Sequence, residues 1–193
     1  MIRGFEEQFE KDRIDQIRRL LQRIDSFSLP KGVSHYYAVD LSLCLQAGAL
    51  LGALQVAASL LEIFVRETVV EQVSKTYPDS ERVSGSFQEK LEQKRNVGFK
   101  QLVVELSNAG IISTTDAQIA SQFYDDVRIP IHHGLPARFV NNSNDYKSFL
   151  ESLLGYTQQV VDRDFEEVIE DEALTLIETA ITIIELIAKG IDA

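Results

Sequence analysis

The sequence predicts an all-α protein, an antiparallel helical bundle, on three observations. Apolar residues recur at intervals of three and four along most of the 193 residues, the spacing that gathers them on one face of a helix. No stretch alternates apolar and polar residues over the length of a strand. Clusters of Pro, Gly, Asn and Ser separate one periodic stretch from the next, and there is no internal repeat or Gly-rich phosphate loop. With 45% hydrophobic and 25% charged residues, the chain has the composition of a globular domain and enough apolar material for a sizeable core. A single domain over 1–193 is expected, with an extra N-terminal helix in 1–30, a bundle core over 37–189 and a peripheral helical hairpin over 78–97.

The first element is amphipathic. Phe5, Phe9, Ile14, Ile17, Leu20, Leu21 and Ile24 fall at helical spacing amid dense charge, which predicts a mostly exposed helix. Ser26, Ser28, Pro30 and Gly32 end it in a turn. From Tyr37 to about Lys75 the longest helical stretch follows. It is rich in Ala and Leu as far as Ile63, then charged on one face through Arg66, Glu67, Glu71 and Lys75, and is expected to be the spine of the fold.

No charge occurs between Asp40 and Glu62, and a run of that length can cross a bilayer. Gly48 and Gly52 stand within it at the spacing that packs membrane helices. Gln46 and Gln55 interrupt the run, no Trp occurs and no Lys/Arg cluster adjoins either end, so a buried central helix of a non-membrane protein is expected.

Tyr77, Pro78, Asp79 and Ser80 end that stretch, and the polar segment 84–96, with Phe87 and Leu91, reads as a peripheral helix or loop. Phe99, Leu102, Val103 and Leu106 carry the next helix, which Asn108 and Gly110 close as a C-terminal cap. Thr114 or Thr115 caps another, running through Ile119, Phe123, Tyr124 and Val127. It is predicted to stop near Ile129, because Pro130 disfavours helical geometry in the residue before it. Pro136 and the run from Asn141 to Asn144 mark a loop, Phe149 to Leu154 begin a helix, and Asp164 to Lys189 form the closing helix through Val168, Ile169, Leu174, Ile177, Ala180, Ile181, Ile184, Leu186 and Ile187.

The net charge of −11 argues against general coating of nucleic acid, whose phosphates are met chiefly by Lys and Arg. A local group of basic side chains is still compatible with action on RNA. The single cysteine, Cys44, lies in an apolar run and reads as a buried thiol in a reducing compartment. The charged N-terminus, MIRGFEEQFEKDR, lacks the apolar stretch of a secretory signal, and a cytoplasmic location is expected.

Chemistry concentrates between Arg128 and Gly134. Arg128, Ile129, Pro130, Ile131, His132, His133 and Gly134 put a permanent cation and two of the chain's three histidines on one short segment. An imidazole takes or returns a proton near neutral pH and a guanidinium stabilises charge on a phosphate, the pairing that phosphoryl-transfer chemistry needs.

This segment resembles the HEPN family (higher eukaryotes and prokaryotes nucleotide-binding), marked by an Arg, four to six residues, and a His. Arg128 and His133 match that spacing, and Gly134 matches a glycine that often follows. The resemblance extends in outline over residues 40 to 189: a long helix bearing a Glu near its end (Ala57, Ala58, Leu60, Leu61, Glu62), the Phe99 to Gly110 helix, the Asp116 to Arg128 helix leading into the motif, and a closing helix. It implies a four- or five-helix bundle that commonly pairs, bringing two copies of the motif to a shared cleft. It also implies, for catalytic members, a metal-independent ribonuclease. His133 would then be the acid or base in attack of the ribose 2′-hydroxyl on the adjacent phosphate, Arg128 would steady the charge that develops, and His132 would be an auxiliary donor. Glu62, Arg66 and Tyr124 would support the site from its flanks. A prokaryotic defence or toxin-antitoxin setting, with RNA as substrate and an antitoxin or other protein as partner, comes from the family alone. No cofactor or metal is implied.

One departure stands out. Active members usually carry a polar residue directly after the Arg, whereas this chain has Ile129. The alternative is therefore a non-catalytic HEPN-like module that pairs and binds a protein or a nucleotide. The plainer readings of single residues also stand: Arg128 as an ion-pair partner of Asp125 or Asp126, the histidines as hydrogen-bonding residues, and His35, Tyr36 and Tyr37 as packing at a helix start rather than a base-stacking platform.

Overall fold

The computed structural model describes residues 2–27, 32–73, 98–133 and 165–191, and every regular element among them is helical. In chain order these are α1 (Ile2–Asp25), α2 (Val33–Gln46), α3 (Leu50–Thr68), a π-helical turn π1 (Val69–Val73), α4 (Phe99–Asn108), α5 (Thr114–Phe123), a second π turn π2 (Tyr124–Arg128), α6 (Ile129–His133) and α7 (Phe165–Ile191). The expected hairpin over 78–97, the Asn141 to Asn144 loop and the Phe149 to Leu154 helix lie outside the described residues.

α3 is the centre. It buries Leu50, Ala53, Leu54, Ala57, Ala58, Leu60, Leu61, Phe64, Val65 and Thr68, a set too wide for one stripe, because helices pack on it from several sides. α2 and α7 make its most extensive contacts, and α4 and π2 cover the rest. α1 lies across α2 and α7 and contributes Leu20 and Ile24 to the core. α7 buries Ala173, Leu174, Leu176, Ile177, Ala180, Ile181, Ile183, Ile184 and Ile187. Each fully buried Leu or Ile stabilises by about 1.5–3 kcal/mol relative to exposure.

The predicted spine is two helices rather than one. α2 closes in a Schellman motif: the Ala49 N–H donates to the Cys44 carbonyl at 2.9 Å and the Gly48 N–H to Leu45 at 3.1 Å, with Gly48 at φ +70°. A residue without Cβ takes that left-handed geometry at little cost, so the uncharged run folds back on itself as an α2–α3 hairpin. Among the described residues, no helix is long and apolar enough to cross a membrane. The same device ends α4, where the Ile111 N–H bonds the Leu106 carbonyl and the Gly110 N–H bonds Ser107, both at 3.0 Å. Gly110, at φ +76°, is the cap that the sequence predicts.

Two further boundaries differ from expectation. α5 is capped by Ser113 rather than Thr114 or Thr115: the Ser113 hydroxyl accepts from the Asp116 N–H and the Asp116 carboxylate accepts from the Ser113 N–H, a reciprocal capping box. Nor does the chain leave the helical path at Ile129. α5 widens into π2, where the Ile129 N–H bonds the Tyr124 carbonyl, and helical geometry continues through Pro130 to His133. In that wider register the N–H that Pro130 lacks corresponds to Asp125, an exposed residue, so proline is tolerated here where a regular helix interior would be broken.

Candidate functional site

The polar residues that meet the Arg128 segment come from one stripe of α3. Gln55, Ser59, Glu62 and Arg66 follow one another at spacings of four, three and four, which aligns them along a single face of a helix. π2 packs against α3 and brings Arg128 over that stripe. Arg128 donates from both Nε and Nη2 to Oε2 of Glu62, each at 2.7 Å. The two side chains are 17% and 19% exposed, so the pair is shielded enough for its charges to matter more than a surface pair's would. Arg66 Nη2 approaches the other carboxylate oxygen at 3.7 Å, so Glu62 lies between two guanidiniums.

The guanidinium is also held by an aromatic ring. Its Cζ lies 5.7 Å from the centroid of Tyr124, four positions earlier, and Tyr124 stacks on the buried Phe99 with centroids 4.5 Å apart and planes 5° from parallel. The negative face of a ring attracts a cation at that distance. The stack reaches into the core through Phe99, so the cation is fixed from two directions.

His132 sits four residues beyond Arg128 and binds the same α3 stripe one turn further along. Its Nε2 is 3.2 Å from the Gln55 backbone carbonyl and 3.2 Å from Ser59 Oγ. A carbonyl can only accept, which assigns the proton to Nε2. His133 is the last residue of α6, and its side chain, like Gly134, lies outside the described residues.

The structure thus joins Glu62, Arg66, Tyr124 and Arg128 into one cluster, with His132 held beside it on the same face of α3 at Ser59, and each of the five was a candidate on sequence grounds. The carboxylate that Arg128 meets at 2.7 Å is Glu62, whereas Asp125 pairs with Lys100. Gln55, Ser59 and Phe99 were not candidates. The regular spacing of Gln55 and Ser59 ahead of Glu62 was the available signal. His35 and Tyr36 lie apart from the cluster, exposed on the first turn of α2 and edge to face at 6.0 Å, while Tyr37 packs against the core.

Between α4 and α5 lies a separate, open groove of about 470 Å³, lined by Val104, Ser107, Thr114, Gln118, Ser121 and Asp125 among others. Among the described residues no three His, Cys, Asp or Glu side chains are grouped to hold a metal ion.

Fold and site together define an all-helical protein with a guanidinium–carboxylate–imidazole cluster on one side of its central helix. Compared with known proteins, the chain matches no family model, no curated protein and no solved structure.

Proposed function

We propose that this chain is a HEPN-like protein acting as a metal-independent endoribonuclease, with Arg128 and His133 as the reacting pair and His132 as an auxiliary donor. One observation carries the reading: Glu62, near the end of the long central helix, grips Arg128 of the motif at 2.7 Å. This ties the two parts of the chain on which the family resemblance rests. Cleavage would proceed by attack of a ribose 2′-hydroxyl on the adjacent phosphate. The P–O5′ bond would break as the new P–O2′ bond forms, leaving a 2′,3′-cyclic phosphate; His133 would take the 2′-hydroxyl proton and return it to the departing 5′-oxygen, and Arg128 would stabilise the charge growing on the phosphoryl oxygens. His132, held to α3 through its Nε2, would be the auxiliary donor at the edge of the same site. The defence or toxin-antitoxin setting, a protein partner and pairing of two copies belong to this reading through the resemblance.

A second reading is favoured by two specific features. Arg128 is already neutralised by Glu62, and Ile129 stands where active members carry a polar residue. On this reading the cluster is a structural clasp in a module that binds without cutting.

The deciding experiment is incubation of purified protein with single-stranded RNA in excess EDTA. Cleavage that His133→Ala abolishes, with an unchanged helical circular dichroism spectrum, supports the nuclease. Cleavage that survives in that variant ends the assignment of His133, and intact RNA at high enzyme concentration selects the non-cutting module.

A further inference from the structure

Two guanidiniums approach Glu62, and they are held unequally. Arg128 commits two donors to Oε2 at 2.7 Å each. Arg66 reaches Oε1 through Nη2 alone at 3.7 Å, too far for a hydrogen bond. The Arg66 side chain is 36% exposed against 17% for Arg128, so an incoming anion has the better access to Arg66. Two permanent cations against one carboxylate leave one positive charge here, on a chain whose net charge is −11. Of the neighbouring acids, Glu67 caps α2 and Asp125 pairs with Lys100.

The place of Arg66 on α3 decides what that charge can meet. Glu62 and Arg66 stand one turn apart on the same face, a rise of about 6 Å. Successive phosphates of an extended single strand are separated by a distance of the same order. A strand with its scissile phosphate at Arg128 and its backbone along the α3 stripe therefore sets the next phosphate against Arg66. In the opposite direction the stripe continues through Ser59 and Gln55, which are uncharged and already engage His132. The cationic end of the stripe is the Arg66 end.

We propose that Arg66 is a substrate-binding residue that holds the phosphate next to the scissile one, with Glu62 aligning its fork toward the phosphate oxygens. The preferred substrate is then a linkage flanked by a second phosphate on the Arg66 side, within a strand rather than in a lone dinucleotide. The inference rests on the reading of the cluster as an RNA site and adds a second phosphate subsite to it. No bond is made or broken at Arg66, so its loss falls on KM and leaves kcat nearly unchanged.

The test is equilibrium binding of fluorescent single strands, followed by anisotropy in EDTA at several salt concentrations. A decamer with fluorine in place of each 2′-hydroxyl cannot be cut, which separates binding from cleavage. Arg66→Ala is expected to weaken the decamer about ten-fold and to lower the slope of log Kd against log salt by about 0.7, with circular dichroism unchanged. A trinucleotide with two phosphates should lose a similar factor, and a dinucleotide with one phosphate less than about two-fold. Arg66→Lys should restore the slope without the full affinity. Equal losses on the two short ligands would make Arg66 a structural support and overturn the proposal. So would a variant whose slope matches the parent's, or a parent that does not bind the decamer. A decamer that binds through Arg66 while unmodified RNA stays intact would keep the phosphate subsite and end the nuclease reading.

Discussion

Arg128 directs Nε and Nη2 at a single carboxylate oxygen, Oε2 of Glu62, at 2.7 Å each. The other oxygen faces Arg66 at 3.7 Å. Shared in this way, Glu62 is the hinge of the cluster: it holds π2 and α6 to the central helix, and its removal would leave two cations facing each other.

Glu62→Ala is therefore expected to destabilise more than an exposed pair would, by about 2 kcal/mol, given that both partners are mostly buried. In a chain of this size that corresponds to a fall of roughly 4–8 °C in Tm. Arg128→Lys should recover little, since an ammonium lacks the planar fork and stacks poorly on Tyr124. Thermal melts of the three proteins decide it. A Tm for Glu62→Ala within a degree or so of the parent would show the pair to be ornamental.

Glu67 caps a helix to which it does not belong. Its Oε1 accepts from the Val33 N–H at 2.7 Å, and both oxygens lie 3.4 Å from the Ser34 N–H, satisfying donors at the α2 N-terminus that its own cap residue, Gly32, leaves unmet. A Cβ on Gly32 would fall 2.5 Å from Glu67 Oε1. Gly32→Ala and Glu67→Ala should thus cost similar amounts, about 1–2 kcal/mol each. Because they break the same contact, the double variant should cost much less than their sum. Additive urea midpoints would refute the shared cap.

The end of α7 meets the turn after α4 with no room for a side chain. A Cβ on Gly190 would run into the Ile111 carbonyl oxygen, and a backbone group has nowhere to swing. Gly190→Ala is expected to cost roughly 2–3 kcal/mol by forcing the two elements apart. Gly48→Ala meets no neighbour and carries only the strain of a positive φ, about 1 kcal/mol. Chemical denaturation should rank them in that order, and the reverse order would contradict the packing.

Arg23 fastens α1 to α7. It bonds both oxygens of Glu185 at 2.9 Å, Glu178 at 3.0 Å and Thr182 Oγ1 at 2.8 Å. The hydrogen bond to Glu185 is the largest influence raising its affinity for the proton, with the charges of Glu185 and Glu178 adding and burial opposing. A group whose proton is held more tightly in the folded state contributes its full stability below its unfolded titration point and loses it only at higher pH. For an arginine both points lie far above neutrality. The cost of Arg23→Ala, about 2 kcal/mol, should accordingly stay constant between pH 6 and 10. A steady decline across that range would show that another titrating group controls the α1–α7 contact.

Much of this was legible in order along the chain. The helical class follows from spacing alone, the α4 terminus from Gly110, and the closing helix, expected over Asp164 to Lys189, spans Phe165–Ile191. These features depend on residues within a turn or two of one another, so the local pattern contains what is needed to read them. Arg128, His132, Glu62, Arg66 and Tyr124 were likewise singled out by residue type and by resemblance.

What only the tertiary structure decided is how distant segments meet. Gly48 splits an uncharged stretch whose periodicity continues on both sides, so no local signal separates a glycine inside a helix from one that reverses it; the hairpin forms because the two halves bury their faces against each other, and α3 packs on α7 as well. Pro130 is carried through a helix because the π turn before it shifts the register. Arg128 finds Glu62 across 66 residues, and His132 reaches Gln55 across 77. Spacing places residues on a face, but the partner that face meets is fixed by packing of the whole chain.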